Sequence, residues 1–378
     1  MKLRLSICIV LALALLCGCG ERRATVDDAG QPILFGTAAA VQTKTFDPTD
    51  KSRPNDPSTL IKVGNEVSLF GVWLPDPDDD TAFETIFYNR RLRCDNVYYS
   101  DPLDPLSFDP EDQNSSLWNY DPLEYWKNTG GYCFTAVSPY TSGDATINSA
   151  YELKISYRVG SNSDLMVARA YRLEPTGGKD RVKMDFKHVT SAVRFLFGTS
   201  SDEGDKYQLT GFHLENLSPR GTLTIDSRLT APIDFSSTGP DYPLDWTAGA
   251  IGVLGDLFTW TASESDPSKT VTYPDPLAPN DPDGYTQMGW YYMVPHTLSS
   301  ADGAKASVVF SVSYDGQPAV TTVLDISDCE LPAGADTWQP NHVYNYFVTV
   351  SQSGAKVRVE TTDWDEVDIT TDPFMFEG

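Results

Sequence analysis

Histidine is scarce in this sequence, at four residues of 378, and cations are few: 28 Lys and Arg stand against 53 Asp and Glu, a formal charge of -25. The second shortage makes the surface repel phosphate backbones and excludes nucleic acid as a partner. The first leaves little for a catalytic or metal centre to draw on. His188, His213, His296 and His342 each fall on or beside a strand-like run, where a lone His is ordinarily structural. No GxSxG, HExxH, Walker A or GxGxxG occurs. Gly177-Gly178-Lys179 imitates a phosphate loop, but Asp180 stands where Ser or Thr is required and no helix pattern follows. Carboxylates are so abundant that a glycosidase-like pair can be picked anywhere, which carries no information. The run PDPDDD at 75–80 lacks the Gly and distal Glu of an EF-hand loop and reads as a solvated loop. The expectation is a non-enzymatic protein with no cofactor and no metal.

What is present begins at the N-terminus. MKLR is a short basic region, and LSICIVLALALL is an apolar run too short to span a bilayer. Leu16-Cys17-Gly18-Cys19 then has the form of a bacterial lipobox, with Cys19 as the residue that receives lipid. Residues 1–18 would be a lipoprotein signal peptide and 19–30 a tether. Several acyl chains, each adding roughly 0.8 kcal/mol per buried CH₂, would hold the mature protein on a membrane. The alternative is a plain secretory signal with incidental cysteines; either way the protein leaves the cytoplasm. Cys94, Cys133 and Cys329 remain after cleavage, an odd number at spacings that fit no metal motif. A Cys94–Cys133 bridge and buried free thiols both stay open.

Beyond the signal, helical periodicity is absent and period-two alternation recurs in short runs bounded by Pro, Gly, Asp and Asn. In YELKISYRV (151–159), Leu153, Ile155 and Tyr157 share one face, with Lys154, Ser156 and Arg158 on the other. ASVVFSVSY (306–314) and VYNYFVTVS (343–351) follow the same rule. One apolar and one polar face per strand predicts antiparallel sheets in an all-β sandwich or barrel. KMDFKHVTSAVRFLFG (183–198) alternates twice with a slip: Met184 and Phe186 fall in one register, Val189, Val193, Phe195 and Phe197 in the other. A bulge or short turn near His188 follows. The Gly-rich EPTGGKDR (174–181) is the expected domain boundary, giving an N-terminal β-sandwich domain at 31–176 and a C-terminal one at 182–378.

The stretch WNYDPLEYWKNTGGYCFTAVSPY (118–140) holds two Trp, four Tyr and a Phe among turn residues. Trp118, Tyr125 and Trp126 could form an exposed platform for glycans, or a corner packed into the core. The corner is the preferred reading, because aromatics supply much of the burial in small β-domains.

Taken together, these stretches resemble the fimbrillin family of the Bacteroidales, the type V pilins with their Mfa-like and FimA-like relatives. The resemblance rests on the lipobox at Cys19, the ILF strand followed by TKTF, VSLFGVW (67–73) and the aromatic corner ending in Pro139-Tyr140. It continues through VKMDFKHVTSAVRFLF, YQLTGFHLENLSPRGTLTID (207–226) and Asp363-Trp364. It implies two antiparallel β-sandwich domains of transthyretin-like topology, export as an outer-membrane lipoprotein, and display at the cell surface. It also implies that a trypsin-like protease removes the N-terminus with the first strand, and that the vacated groove takes a strand from the next pilin subunit, head to tail. On this chain the first strand would lie within Pro32–Val41. Lys44, Lys51 and Arg53 are the cleavage points, although Lys44 is not Arg and Pro54 follows Arg53. The donor would lie within Lys356–Phe376, where Val357 with Val359 and Val367 with Ile369 alternate; an ordinary closing strand is the equal alternative. The resulting function is a structural subunit of a fimbria that supports adhesion. The competing one is a glycan-binding surface lipoprotein or tip adhesin, meeting host or bacterial surface glycans or proteins.

Overall fold

The computed structural model describes residues 32–38, 66–79, 82–94, 115–171, 182–226, 244–249, 259–277, 281–299, 304–329 and 336–363, less 142, 144, 148–151, 160–163, 185, 201, 203, 282–283 and 353. Among these residues the regular structure is strand throughout, apart from two three-residue 3₁₀ turns. The first half carries β1 (Phe35–Ala38), β2 (Glu66–Leu74), β3 (Glu84–Cys94), β4 (Ser115–Asn119), β5 (Gly131–Ser138), β6 (Ala145–Ile147), β7 (Glu152–Arg158) and β8 (Met166–Tyr171). Next come β9 (Val182–Lys183), β10 (Phe186–His188), β11 (Ser191–Thr199), β12 (Tyr207–Glu215), β13 (Arg220–Asp226) and β14 (Leu244–Ala248). The last are β15 (Trp260–Thr261), β16 (Lys269–Thr270), β17 (Thr286–Met293), β18 (Ser307–Tyr314), β19 (Val320–Asp325), β20 (His342–Ser351) and β21 (Gly354–Asp363).

The first sheet runs β10-β8-β5-β2-β3-β4-β1-β9. Its two terminal strands are almost consecutive in sequence: β9 ends at Lys183 and β10 begins at Phe186. Three Cα steps span at most about 11 Å, so the sheet curls until its ends meet, close to a shut barrel. The inside is filled by Ile33, Phe35, Leu69, Phe87, Trp118, Tyr132, Phe134, Met184 and Phe186, among others. Alternation then puts Phe70, Val137 and Val167 on the outside, where they join a second core with Leu153 and Ile155 of β7.

That second core lies between the sheet β17-β11-β20-β21 and the sheet β15-β12-β18-β19, with β16 also on β12. Phe195 meets Phe212 at 5.4 Å between ring centroids, and Phe197 meets Phe310 at 5.1 Å. The result is an all-β sandwich, as the alternating pattern predicts. The slip around His188 marks the passage between cores. Met184 and Phe186 point into the first and Val189, Val193, Phe195 and Phe197 into the second, with Val189 and Thr190 as the two-residue link between β10 and β11.

Two observations differ from the sequence-based picture. The one-face rule holds for β7 but fails for β11, every residue of which is buried. The reason is that β11 is interior to its sheet and runs parallel to β20, an arrangement that needs cover on both faces. Ladders also cross the expected division at 177–181 between 31–176 and 182–378. β7 pairs with β13, β1 with β9 and β8 with β10, and β14-β13-β7-β6 forms a sheet drawn from both halves. Neither Cys133, which is buried, nor Cys329 is disulfide-bonded, which removes the Cys94–Cys133 bridge.

Candidate functional site

The sequence-derived proteolytic and lipid sites, Cys19, Lys44, Lys51 and Arg53, lie outside the described residues, as do Val367 and Ile369. The first strand does not. Pro32–Leu34 lead into β1, and Ile33, Leu34 and Phe35 are buried at 0, 5 and 0 % exposure. β1 lies between β4, antiparallel, and β9, parallel, with Phe35 opposite both Trp118 and Val182. The backbone just before it is bonded as well: the Ile33 N–H donates to the Glu124 carbonyl at 2.9 Å, and the Val182 N–H to the Leu34 carbonyl at 2.7 Å.

The aromatic corner supplies the floor of this slot. The Phe35 ring meets Phe134, Phe87 and Tyr120 edge to face, with centroids 5.2, 5.7 and 5.9 Å away. Such contacts add to plain area burial. Gly71 is what lets two of those rings in, since a Cβ there would come within 2.8 Å of both Phe134 and Phe87. The Tyr120 hydroxyl donates to the Ile33 carbonyl at 2.7 Å. Burial holds this phenol well above the ordinary tyrosine range, so it stays a donor at any physiological pH.

The two readings of the aromatic stretch, packed corner and exposed platform, separate by burial. Trp118 and Trp126 are 2 and 8 % exposed and belong to the first core, while Tyr125 alone of the three is open, at 48 %. A sugar ring cannot stack on a buried indole such as Trp126, which meets Tyr132 edge to face at 4.6 Å between ring centroids. Trp118, Tyr125 and Trp126 therefore form no glycan platform. Sequence reasoning missed Tyr120 as the residue that clamps the first strand. Its target lies 87 residues away, and no local pattern encodes that contact.

At the other end of the chain, Val357 and Val359 lie on β21, which pairs with β20 over ten residues. Ala355, Val357 and Val359 turn toward the second core. Lys356 and Arg358 face out, with the Arg358 guanidinium 4.2 Å over the Phe347 ring. β21 is the last strand of its sheet and, among the described residues, has β20 as its one ladder neighbour.

The histidines sit apart from this slot and from one another. His188 and Thr190 both bond the buried Asp164 carboxylate, at 2.5 and 2.8 Å, beside the crossing between the two cores. His213 meets Glu215 at the surface, and His296 and His342 bond the carbonyls of Val294 and Pro340. Among the described residues no three His, Cys, Asp or Glu side chains converge as a metal site. In the acidic loop the Asp79 and Asp78 amides donate back to the Asp76 carbonyl and carboxylate, which makes a turn.

A family model described as fimbrillin-like matches residues 96–364, more than two-thirds of the chain. The chain belongs to the fimbrillin-like family. This fimbrillin-like chain superposes on a fimbrial protein from Bacteroides vulgatus with a TM-score of 0.51 at 15% identity, covering 82% of this chain and 96% of that one. A candidate cell adhesion protein from Bacteroides uniformis gives a TM-score of 0.51 at 13% identity, covering 90% of this chain and 99% of its own. At these identities the likeness concerns the fold. No curated protein sequence matches the chain.

Proposed function

We propose that this fimbrillin-like protein is a structural subunit of a surface fimbria, in which β1 is replaced by a strand from the next subunit. The observation that carries this reading is the placement of β1. Among the described residues it is the first strand, and it is laddered on both sides, by β4 and by β9. Withdrawal would leave β4 and β9 with open ladder groups and an apolar slot shaped for Ile33 and Phe35, two residues apart. An incoming strand with apolar residues at alternate positions satisfies both needs at once. Val357 with Val359, and Val367 with Ile369, have that spacing within Lys356–Phe376. Val357 and Val359 are already laddered to β20 and packed on the second core, so the donor is assigned to the part that carries Val367 and Ile369. Because slot and donor lie on different parts of the chain, the contact propagates into a filament instead of closing on itself. Before assembly, lipid on Cys19 holds the precursor on the outer membrane. Cleavage after Lys44 or Arg53 releases it, and the fimbria presents the subunit for adhesion at the cell surface.

The reading is tested by trypsin treatment of the purified protein followed by sedimentation and electron microscopy. Loss of the N-terminus through β1 is expected to convert monomers into head-to-tail oligomers. A nicked protein that stays monomeric at high concentration contradicts it.

A further inference from the structure

We propose that an open cleft on the sheet β14-β13-β7-β6 binds a carboxylate-bearing sugar through Arg158 and Arg220. The cleft measures about 780 Å³, within the range of small-ligand pockets. It lies where β7, β13 and β14 meet the segment that follows β5, so Tyr140 and Thr141 close one side. Arg158 and Arg220 are direct partners across the β7–β13 ladder. Like charges placed opposite each other destabilise a sheet. Both side chains are exposed, and among the described residues neither makes a hydrogen bond, ion pair or ring contact. Arg91, Arg194 and Arg358, by contrast, each lie over an aromatic ring. In a protein of charge -25, the described lining of this cleft holds two arginines and no carboxylate. A pair of uncompensated guanidinium forks is the arrangement that recognises a planar carboxylate.

The rest of the wall selects the class of molecule. Ser156, Thr222 and Thr247 are in register across three strands, one alternation step from the arginines and on the same face. That row of hydroxyls suits the hydroxyls of a sugar ring. The Tyr140 ring stands beside it, held by Arg91 at 4.4 Å and by its own amide bond to the Glu66 carbonyl. β13 and β7 are laddered on both sides, so the middle of the floor offers side chains rather than an open strand edge. The cleft is separate from the β1 slot and stands or falls without strand exchange.

The test is calorimetric titration of the full chain with sialyllactose and with a galacturonate trimer, each beside its neutral counterpart. Acidic probes are expected to bind at least about tenfold more tightly than neutral ones, and more weakly as salt rises. Replacing both arginines (R158S/R220S) is expected to lower affinity by at least about tenfold while leaving the melting temperature unchanged or higher, because the opposed charges are gone. Equal binding of neutral probes, undiminished binding by the double variant, no binding of any acidic sugar at millimolar concentration, or stronger binding of an acidic peptide would each overturn the assignment.

Discussion

Trp126 and Tyr125 are neighbours in sequence with opposite fates, and the difference is set by what surrounds each ring. Trp126 is enclosed by Tyr132 and Phe134, whereas Tyr125 is about half open. Trp126→Ala is therefore expected to cost about 3–5 kcal/mol in a urea titration. Tyr125→Ala should stay within about 0.5 kcal/mol; equal effects would show that the corner is not core. His296 makes a pH prediction. Its ring is buried beside Trp338, with Nδ1 donating to the Val294 carbonyl, and burial holds its pKa below the ordinary 6.5. Below that pH the unfolded chain takes up a proton that the folded chain refuses. The contribution to stability is thus complete above pH 6.5 and declines as the pH falls from there through the lowered native value. His296→Gln should flatten the dependence of the melting temperature on pH between 7 and 5; an unchanged slope would assign it to other groups. His296 is enclosed by a ring from a distant segment, and Trp126 by rings of its own stretch whose orientation only the folded corner sets. Composition and spacing therefore could not separate core rings from surface rings.

Among the elements, β1 owes its stability to its neighbours, because four residues make too few ladder bonds to hold a strand alone. Tyr120→Phe removes the hydroxyl from the buried Ile33 carbonyl and is expected to cost about 1–3 kcal/mol. The loss should appear first as faster amide exchange at Ile33 and Val182, with β20 still protected; uniform loss of protection would mean that β1 is no separate unit. Alternation made β7 and β18 legible, and the change of register between Phe186 and Val189 revealed an interruption near His188. That the interruption is a crossing from one core to another was not legible, since a face carries no label for the core it meets. For the same reason β11 misled: Ala192 and Leu196 cover the outer face of its sheet, which only the parallel pairing with β20 explains.

On the scale of the whole molecule, ladders tie the two halves of the chain together. A fragment of residues 31–176 lacks β13 beside β7, β9 beside β1 and β10 beside β8. It is expected to aggregate when expressed alone, and a well-dispersed NMR spectrum would restore the boundary at 177–181. The all-β class and the fimbrillin-like resemblance could be read from short alternating runs and aromatic stretches, because those are local patterns. The route of each strand could not, because pairing is set by partners tens to hundreds of residues away. The central proposal is that the β1 slot accepts a strand from another copy. Fluorescence anisotropy of a labelled peptide of residues 356–376, titrated with protein lacking residues 1–44 and separately with the full chain, tests it most directly. Saturable binding to the truncated protein alone is predicted; no binding to either, or equal binding to both, would contradict it.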